Sequence, residues 1–238
     1  MDKEKKIFQD DTLSEDGLDF INYAWGPLLL HFKYPKKDLV KLKRICKKAK
    51  AHEDWSKELA GVFGNGNQDL VPIKDRLWFY ESIESYFRTW CEVGVNFYGW
   101  HEAPTLKPQN FWVNHMEAGD FNPPHIHTGD ITFVLFVDVP KAITEENKKY
   151  NGSSLGPGAL SLSWGTGGEI ASKRDVINSV NIMPTNGDLI IFPTRLAHWV
   201  FPFSSKVTRI SVSGNFTYSE YPAYDKEFNK DSATVTRD

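Results

Sequence analysis

The sequence predicts an α+β fold in which N-terminal helices buttress a jelly roll made of two packed β-sheets. Two amphipathic helical patterns occur within the first hundred residues, and short β-rich runs dominate from about residue 110 onward. Turns rich in glycine, proline and asparagine separate these runs, which is typical of antiparallel sandwiches. Helices that precede such a series of strands are expected to cover one outer face of a sheet.

Length and composition fit a single domain with a substantial core. The chain has 238 residues, of which 40% are hydrophobic and 14% aromatic, and this composition is typical of globular proteins. We expect a loosely ordered N-terminal arm over 1–25, a mainly helical support over 26–100, a jelly-roll core over 101–217 and a polar tail over 218–238.

Charge and cysteine content narrow the class of protein. A net charge of −3 and a pI near 6.2 give no general attraction to nucleic acid or to membranes. The sequence has no twenty-residue apolar run, and its charged N-terminus lacks the apolar stretch of a secretion signal. Cys46 and Cys91 are too few for a disulfide framework. We therefore expect a cytoplasmic protein that binds neither membranes nor nucleic acid.

Two helices are predicted after a short strand at 27–32. The first covers 36–51 and turns a lysine-rich face to solvent. Its buried side is expected to carry Leu39, Leu42, Cys46 and Ala49. The second begins after Pro72 and is expected to pack on a sheet. Its apolar stripe consists of Leu77, Tyr80, Ile83, Phe87 and Trp90.

The predicted strands follow one another at short intervals. They cover 111–117, the vicinity of 125, 131–138, 159–164, 178–183, 188–192, 197–202 and 206–217. The intervening stretch from Lys141 to Gly158 is polar and contains glycine. We expect it to be a mobile loop that closes over a site when ligands bind.

Three histidines give the strongest functional signal. His125 and His127 are separated by one residue at a strand end, so both side chains face the same way. His198 follows a proline-bounded strand about seventy residues later. Three imidazoles arranged in this way predict a metal site, and imidazole suits iron, zinc, copper and nickel about equally.

The residues alone do not decide which group is the third metal ligand. A facial iron site normally uses two histidines and one carboxylate, and His127 stands where the carboxylate is expected. Three ligand sets fit the sequence. The first uses His125, His127 and His198; in the second, Asp130 supplies a carboxylate and one of the paired histidines is displaced; in the third, water completes two histidines.

Arg209 and Ser211 alternate with apolar residues on the last predicted strand. Residues at i and i+2 face the same side of a strand, so this guanidinium and this hydroxyl would converge on one carboxylate. An arginine among valine and isoleucine inside a sandwich would otherwise be a costly buried charge.

Together these motifs resemble a known family. The segments are Phe111-Trp112-Val113-Asn114, Gly119-x5-His125-x-His127, Pro157-Gly158-Ala159-Leu160, Pro184-x2-Gly187-Asp188-x3-Phe192-Pro193, His198 and Arg209-Ile210-Ser211-x3-Asn215. Their order and spacing are similar to those of the bacterial and phage branch of the 2-oxoglutarate/Fe(II)-dependent oxygenase superfamily, whose fold is a double-stranded β-helix. The resemblance covers about residues 72–217.

The resemblance implies a hydroxylase with an unidentified small-molecule or peptidyl substrate. It implies Fe(II) at the three histidines, with 2-oxoglutarate held by Arg209, Ser211 and Asn114. The implied reaction consumes dioxygen and 2-oxoglutarate and releases succinate and CO2, in the cytosol of a bacterium or of a phage-infected host. Candidates for the substrate mouth are the residues beside the predicted ligands, Trp112, Arg195 and Trp199.

A cupin-type metalloprotein that does not use 2-oxoglutarate is the alternative. It would be a metal-dependent isomerase or dioxygenase, or a binding protein without catalysis. A cupin is expected to carry a glutamate close to Thr132 and Phe133 and a glycine at Arg195, and this sequence has neither. A cupin also gives no role to Arg209.

Overall fold

The computed structural model describes residues 9–13, 17–23, 26–49, 54–56, 61, 64, 66–152, 156–165 and 179–220. Within these residues the chain forms two antiparallel sheets and three helices. The helices are α1 (Lys36–Ala49), α2 (Ile73–Tyr98) and α3 (Lys141–Lys148). The strands are β1 (Gln9–Leu13), β2 (Asp19–Tyr23), β3 (Leu30–Lys33), β4 (Asn67–Leu70), β5 (Leu106–Met116), β6 (Asn122–His125), β7 (Ile131–Asp138), β8 (Leu160–Ser163), β9 (Ser179–Ile182), β10 (Asp188–Pro193), β11 (Ala197–Val200) and β12 (Arg209–Tyr218).

The two sheets form the predicted jelly roll. The larger sheet has the strand order β1-β2-β3-β10-β7-β12-β5-β4, and the smaller has the order β6-β11-β8-β9. Strand β7 shows how the layers are built, because its residues alternate between the two buried faces. Leu135 belongs to the core that the helices cover, whereas Phe136 belongs to the core between the sheets. The α+β class and the double-stranded β-helix predicted from the sequence are confirmed.

Helix α2 packs aromatic side chains against the outer face of the larger sheet. The ring centroids of Phe87 and Phe216 lie 3.9 Å apart, and those of Phe79 and Phe111 lie 5.3 Å apart. The predicted stripe was wrong at its start, because Leu77 is 66% exposed and Tyr80 is only half-buried. At about 100° per residue, Leu77 lies on the opposite side of the helix from Phe79, which takes its place.

Two further segments differ from the expectations. Strands β1 and β2 extend the edge of the larger sheet beyond β3, in the stretch expected to be a loosely ordered arm. In the segment expected to be a mobile loop, α3 forms instead. Its Ile143 is fully buried, and its Glu146 carboxylate accepts the backbone N–H groups of Ser204 and Ser205, each at 2.8 Å. The loop prediction overlooked this anchoring, which depends on residues about sixty positions away.

Two expectations reach beyond the described residues. Positions 153–155 of the expected loop lie outside them, as does the polar tail from residue 221. Among the helices that are described, none is long and apolar enough to cross a membrane.

Candidate metal centre

The smaller sheet and the segment that follows β6 bring the three histidines together. His125 ends β6 and is the register partner of His198 in β11. His127 lies two residues beyond the strand, where its backbone N–H donates to the carbonyl of Thr194 at 3.0 Å. Strand pairing and this single hydrogen bond therefore place residues that are some seventy positions apart on one wall.

The geometry of the cluster suits a single ion. One ligand atom from each of His125, His127 and His198 lies within 4.8 Å of the others. The Nε2 atoms of His127 and His198 are 3.1 Å apart, and the ring centroids of His125 and His198 are 4.3 Å apart. When both Nε2 atoms are unprotonated, this separation lets them bind the same metal ion.

Backbone carbonyls orient two of the rings. The Nδ1 atom of His125 lies 2.7 Å from the carbonyl oxygen of Pro123, and Nδ1 of His198 lies 3.0 Å from that of Leu196. A carbonyl only accepts, so each Nδ1 carries the proton and each Nε2 keeps its lone pair. Metal-binding histidines are commonly fixed in this way.

The imidazoles are neutral at physiological pH. Burial lowers the pKa of His127 to about 4, helped by the nearby His125. Burial likewise lowers the pKa of His125 and, more strongly, that of His198, which is 6% exposed. The lone pairs are therefore available to a metal without prior loss of a proton.

The Asp130 carboxylate binds a backbone N–H group and does not join the histidine cluster. Its carboxylate accepts the backbone N–H of Tyr218 at 2.8 Å, and its own backbone N–H donates to the carbonyl of Phe216 at 2.9 Å. These contacts attach the segment after His127 to the end of β12. The ligand atoms that cluster are those of the histidines, without this carboxylate.

Arg209 is a buried cation at the other end of the same cavity. It is 3% exposed, and its guanidinium donates to the Gly158 carbonyl at 3.1 Å and to the Met116 sulfur at 2.9 Å. Burial lowers its pKa to about 10, so it keeps its charge at neutral pH. Among the described residues no carboxylate forms an ion pair with it, and its Nε has no hydrogen-bond partner.

A cavity of about 310 Å³ joins the cluster to this cation. Arg209, Ser211 and Asn114 all line it, as alternation along β12 and β5 requires. Ser211 is also the register partner of Asn114. The structure thus brings the expected metal ligands and the expected cosubstrate residues into one enclosure.

Of the three residues expected at the substrate mouth, one lines the cavity. The ring centroid of Trp112 lies 5.6 Å from that of His127. Trp199 faces away, 6.3 Å from Phe201, because it follows the inward-facing His198 on β11. Arg195 is exposed in the turn between β10 and β11. Neither of these last two residues is part of the cavity lining, and their place at a substrate mouth stays a prediction.

Sequence reasoning did not assign a role to several amide residues that line the cavity. They are Gln68, Gln109, Asn110, Asn122 and Asn215. The alternation that selected Arg209 and Ser211 also selects Asn215 when it is continued along β12. Gln68 gave no comparable signal, because β4 is a four-residue strand without an apolar pattern.

Comparisons with known proteins agree with this geometry. Residues 110–215 match a family model described as "Putative 2OG-Fe(II) oxygenase". This segment belongs to the 2-oxoglutarate/Fe(II) oxygenase superfamily. The match contains all three histidines, Arg209, Ser211 and Asn114, so the resemblance seen in the motifs is confirmed. No curated protein matches the sequence.

Solved structures of low sequence identity share the fold. The non-heme alpha ketoglutarate dependent epimerase SnoN from nogalamycin biosynthesis has a TM-score of 0.50 at 14% identity, over 88% of this chain and 87% of its own. The carbocyclase SnoK from the same biosynthesis has 0.50 at 13%, over 87% and 86%. A 2OG-Fe(II) oxygenase family oxidoreductase from Burkholderia pseudomallei has 0.50 at 10%, over 82% and 86%.

Proposed function

We propose that the protein is an Fe(II)- and 2-oxoglutarate-dependent dioxygenase that hydroxylates an as yet unidentified substrate. One observation carries this proposal. A cluster of three neutral histidines and a buried arginine without an ion-pair partner among the described residues share one cavity. The three histidines could hold a metal ion, and an anion would balance the buried charge of the arginine.

His125, His127 and His198 would hold the metal. Three imidazole donors on one side of an ion leave positions free for a chelating cosubstrate and for dioxygen. Fe(II) together with 2-oxoglutarate supplies the oxidation of a substrate C–H bond by dioxygen, coupled to the release of succinate and CO2. The carbonyls of Pro123 and Leu196 hold two of the ligands in orientation.

Arg209 would bind the distal carboxylate of 2-oxoglutarate. Its planar fork matches a carboxylate in two parallel hydrogen bonds, and the added charge would neutralise the buried cation. Ser211 lies two residues further along the same face of β12 and would add a hydroxyl. Asn114, the partner of Ser211 across β5, would contribute its amide.

The cavity between the two anchors also fits a dicarboxylate. Trp112, next to the cluster, is the register partner of Ser213, which lies four residues from Arg209 on β12. That separation is about 13 Å along the strand, and the long side chain of Arg209 reduces the distance between its guanidinium and the histidine cluster. Apolar side chains line the same cavity and would shield the methylene groups from water, namely Met116, Phe136, Leu160, Phe192 and Val200.

A cupin that binds metal without 2-oxoglutarate accounts for the histidines alone. It leaves the Arg209 guanidinium buried beside the ring of Phe136, 5.5 Å from its centroid, with no anion to balance it. An oxygenase gives a role both to the three histidines and to Arg209.

Two coarser proposals accompany the function. The chain would act as a single domain, since α2 packs directly on the sheet that carries Arg209. It would work in the cytosol, where Cys46 and Cys91, both buried and free, stay reduced.

An anaerobic titration tests the proposal. Fe(II) and 2-oxoglutarate are added, separately and together, to metal-free protein, and the visible spectrum is recorded. We expect a charge-transfer absorption that requires both, because it arises only when 2-oxoglutarate chelates iron. Absorption with iron alone, or none with both, would contradict the proposed function.

A further inference from the structure

A tight turn formed by residues 156–159 contacts the Arg209 guanidinium. Its last backbone N–H donates to its first carbonyl at 3.1 Å. Pro157 in the second position and Gly158 in the third, with a φ of +76°, are typical of a type II turn. The Gly158 carbonyl accepts the hydrogen bond from Arg209 at 3.1 Å. We call this segment the support turn; the proposed function gives it no role.

Helix α3 holds the support turn through one side chain. Asn147 donates from Nδ2 to the Pro157 carbonyl at 2.9 Å. The preceding residue, Glu146, fixes the helix by accepting N–H groups from two serines that follow β11. The N–H of Gly158 donates to the Phe201 carbonyl at 3.2 Å. Consecutive carbonyls of the turn therefore bind α3 and the guanidinium.

Gly158 is packed directly against α3. A Cβ atom at this position would lie 2.3 Å from Cγ2 of Ile143, a side chain that is fully buried. Residues other than glycine also rarely adopt its positive φ. The direction of the Gly158 carbonyl therefore depends on where α3 lies.

This carbonyl is important for the orientation of Arg209. Two parallel hydrogen bonds to a carboxylate form only when the planar fork faces it. The guanidinium also contacts the Met116 sulfur, a weak acceptor, and the ring of Phe136 at 5.5 Å from its centroid. Among the described residues, the Gly158 carbonyl is the one oxygen that accepts from it.

We propose that the support turn and Asn147 position the Arg209 guanidinium and thereby set the preference for a 2-oxo acid with a distal carboxylate; this rests on the proposed oxygenase function. Neither Asn147 nor Gly158 is among the described residues that line the cavity, so both act through Arg209. Without the Asn147 donor the Pro157 carbonyl is released, and the next carbonyl loses its direction. Binding of the chelating end at the histidines should not change.

Two 2-oxo acids of equal chain length measure this preference. 2-Oxopentanoate has the same chelating end as 2-oxoglutarate, but a methyl group replaces the distal carboxylate. The affinity for each is measured by anaerobic calorimetry on protein loaded with Fe(II). The wild type should bind 2-oxoglutarate at least about tenfold more tightly, the scale of one charge-assisted hydrogen bond. The ratio of the two affinities is compared between variants.

A change in the side chain of α3 tests the first contact. Asn147→Asp keeps the shape but replaces the donor NH2 with an acceptor oxygen. It should reduce the preference at least about threefold by weakening 2-oxoglutarate binding, with little change in affinity for 2-oxopentanoate or Fe(II). Asn151→Asp is the control, because it adds the same charge nearby in the sequence at an exposed position. It should leave the preference unchanged.

A second pair of variants changes the turn itself. Gly158→Ala should reduce the preference further, since the added Cβ would meet Ile143 and displace the carbonyl. Gly165→Ala is the control. Gly165 has a similar φ of +83°, but nothing lies within 4 Å of an added Cβ. This control therefore has the backbone strain without the displacement, and its preference should equal that of the wild type.

The outcomes separate the two proposals. Failure of the wild type to bind 2-oxoglutarate, or equal affinity for the two acids, would overturn the oxygenase function and the positioning role with it. A wild-type preference that stays unchanged in Asn147→Asp and Gly158→Ala would overturn the positioning role alone. Equal weakening of both acids would do the same, because it indicates a general structural effect. If Gly158→Ala does not fold, Asn147→Asp decides.

Discussion

The smaller and the larger sheet contribute different chemistry to the cavity. The smaller sheet supplies uncharged ligands, since His125 and His198 lie on its paired strands β6 and β11. The larger sheet supplies a fixed positive charge and hydroxyl and amide groups, through Arg209, Ser211 and Asn114. Metal binding and 2-oxoglutarate binding therefore depend on different walls of the cavity. A substitution that removes the binding groups of one wall should leave the other wall intact.

The two sheets also stabilise their functional groups differently. Backbone carbonyls hold the imidazoles of the smaller sheet in one tautomer. Among the described residues, the Arg209 guanidinium contacts a carbonyl, a thioether sulfur and an aromatic ring, none of which is an anion. The histidines of the smaller sheet are thus oriented by groups of the protein itself, whereas the buried charge of Arg209 needs an anionic ligand to balance it.

The largest expected effect is the loss of metal from the smaller sheet. His125→Ala or His198→Ala should lower Fe(II) affinity more than about a hundredfold, since loss of a direct ligand should exceed the effect of losing its supporting partner. The larger sheet should stay folded, because neither histidine belongs to its strands. Elemental analysis and circular dichroism provide the measurements. His101→Ala, at an exposed position, is the control; retention of stoichiometric iron in both ligand variants would refute the assignment.

A second pair of variants separates the possible ligand sets. His127→Ala should lose iron, whereas Asp130→Ala should keep it and lose about 1–3 kcal/mol of folding stability, because its carboxylate accepts the Tyr218 N–H. Metal content and urea denaturation are measured for both. The reverse pattern of iron loss would establish a carboxylate site and exclude the set of three histidines.

The sequence predicted the elements that local patterns determine. The alternating strands β7, β10 and β12 lie where periodicity placed them, and the parity argument put Arg209 on the same face as Ser211. Trp199 follows the inward-facing His198 on β11, so the same alternation turns it away from the cavity.

Features that depend on distant contacts were not predictable in this way. Helix α3 is fixed by Glu146 through serines that follow β11. The position of Gln68 depends on β4 joining the edge of the larger sheet. A single sequence contains no local record of such pairings, so the metal ligands could be proposed from their spacing but the place of Gln68 in the cavity lining could not.

A smaller effect is expected at Asp188, which is not part of the cavity lining. It tests whether the larger sheet can be destabilised without a change in the site. Burial alone would raise the pKa of Asp188, but hydrogen bonds from His31, Lys33 and the Thr185 N–H outweigh it and lower the pKa to about 2. With an ordinary value of 3.8, this contributes about 2 kcal/mol of stability above pH 4, which is lost as the pH falls towards 2.

Asp188→Asn should therefore lower stability at pH 7 and flatten its decline between about pH 4 and pH 2. Denaturation curves across this range measure the effect. Affinities for Fe(II) and 2-oxoglutarate at pH 7 should match those of the wild type. A change in either affinity would show that the site is coupled to the start of β10 in the larger sheet.

The most direct measurement concerns Arg209, because its cation has a use only if a dicarboxylate reaches it from the metal. The affinity for 2-oxoglutarate is measured in the wild type, Arg209→Lys and Arg209→Ala, with metal occupancy determined in each. Lysine keeps the charge but loses the planar fork, so binding should weaken by about 1–3 kcal/mol, and alanine should weaken it further. Fe(II) affinity should remain nearly constant. Equal 2-oxoglutarate affinity in all three proteins would contradict the oxygenase function and favour a cupin.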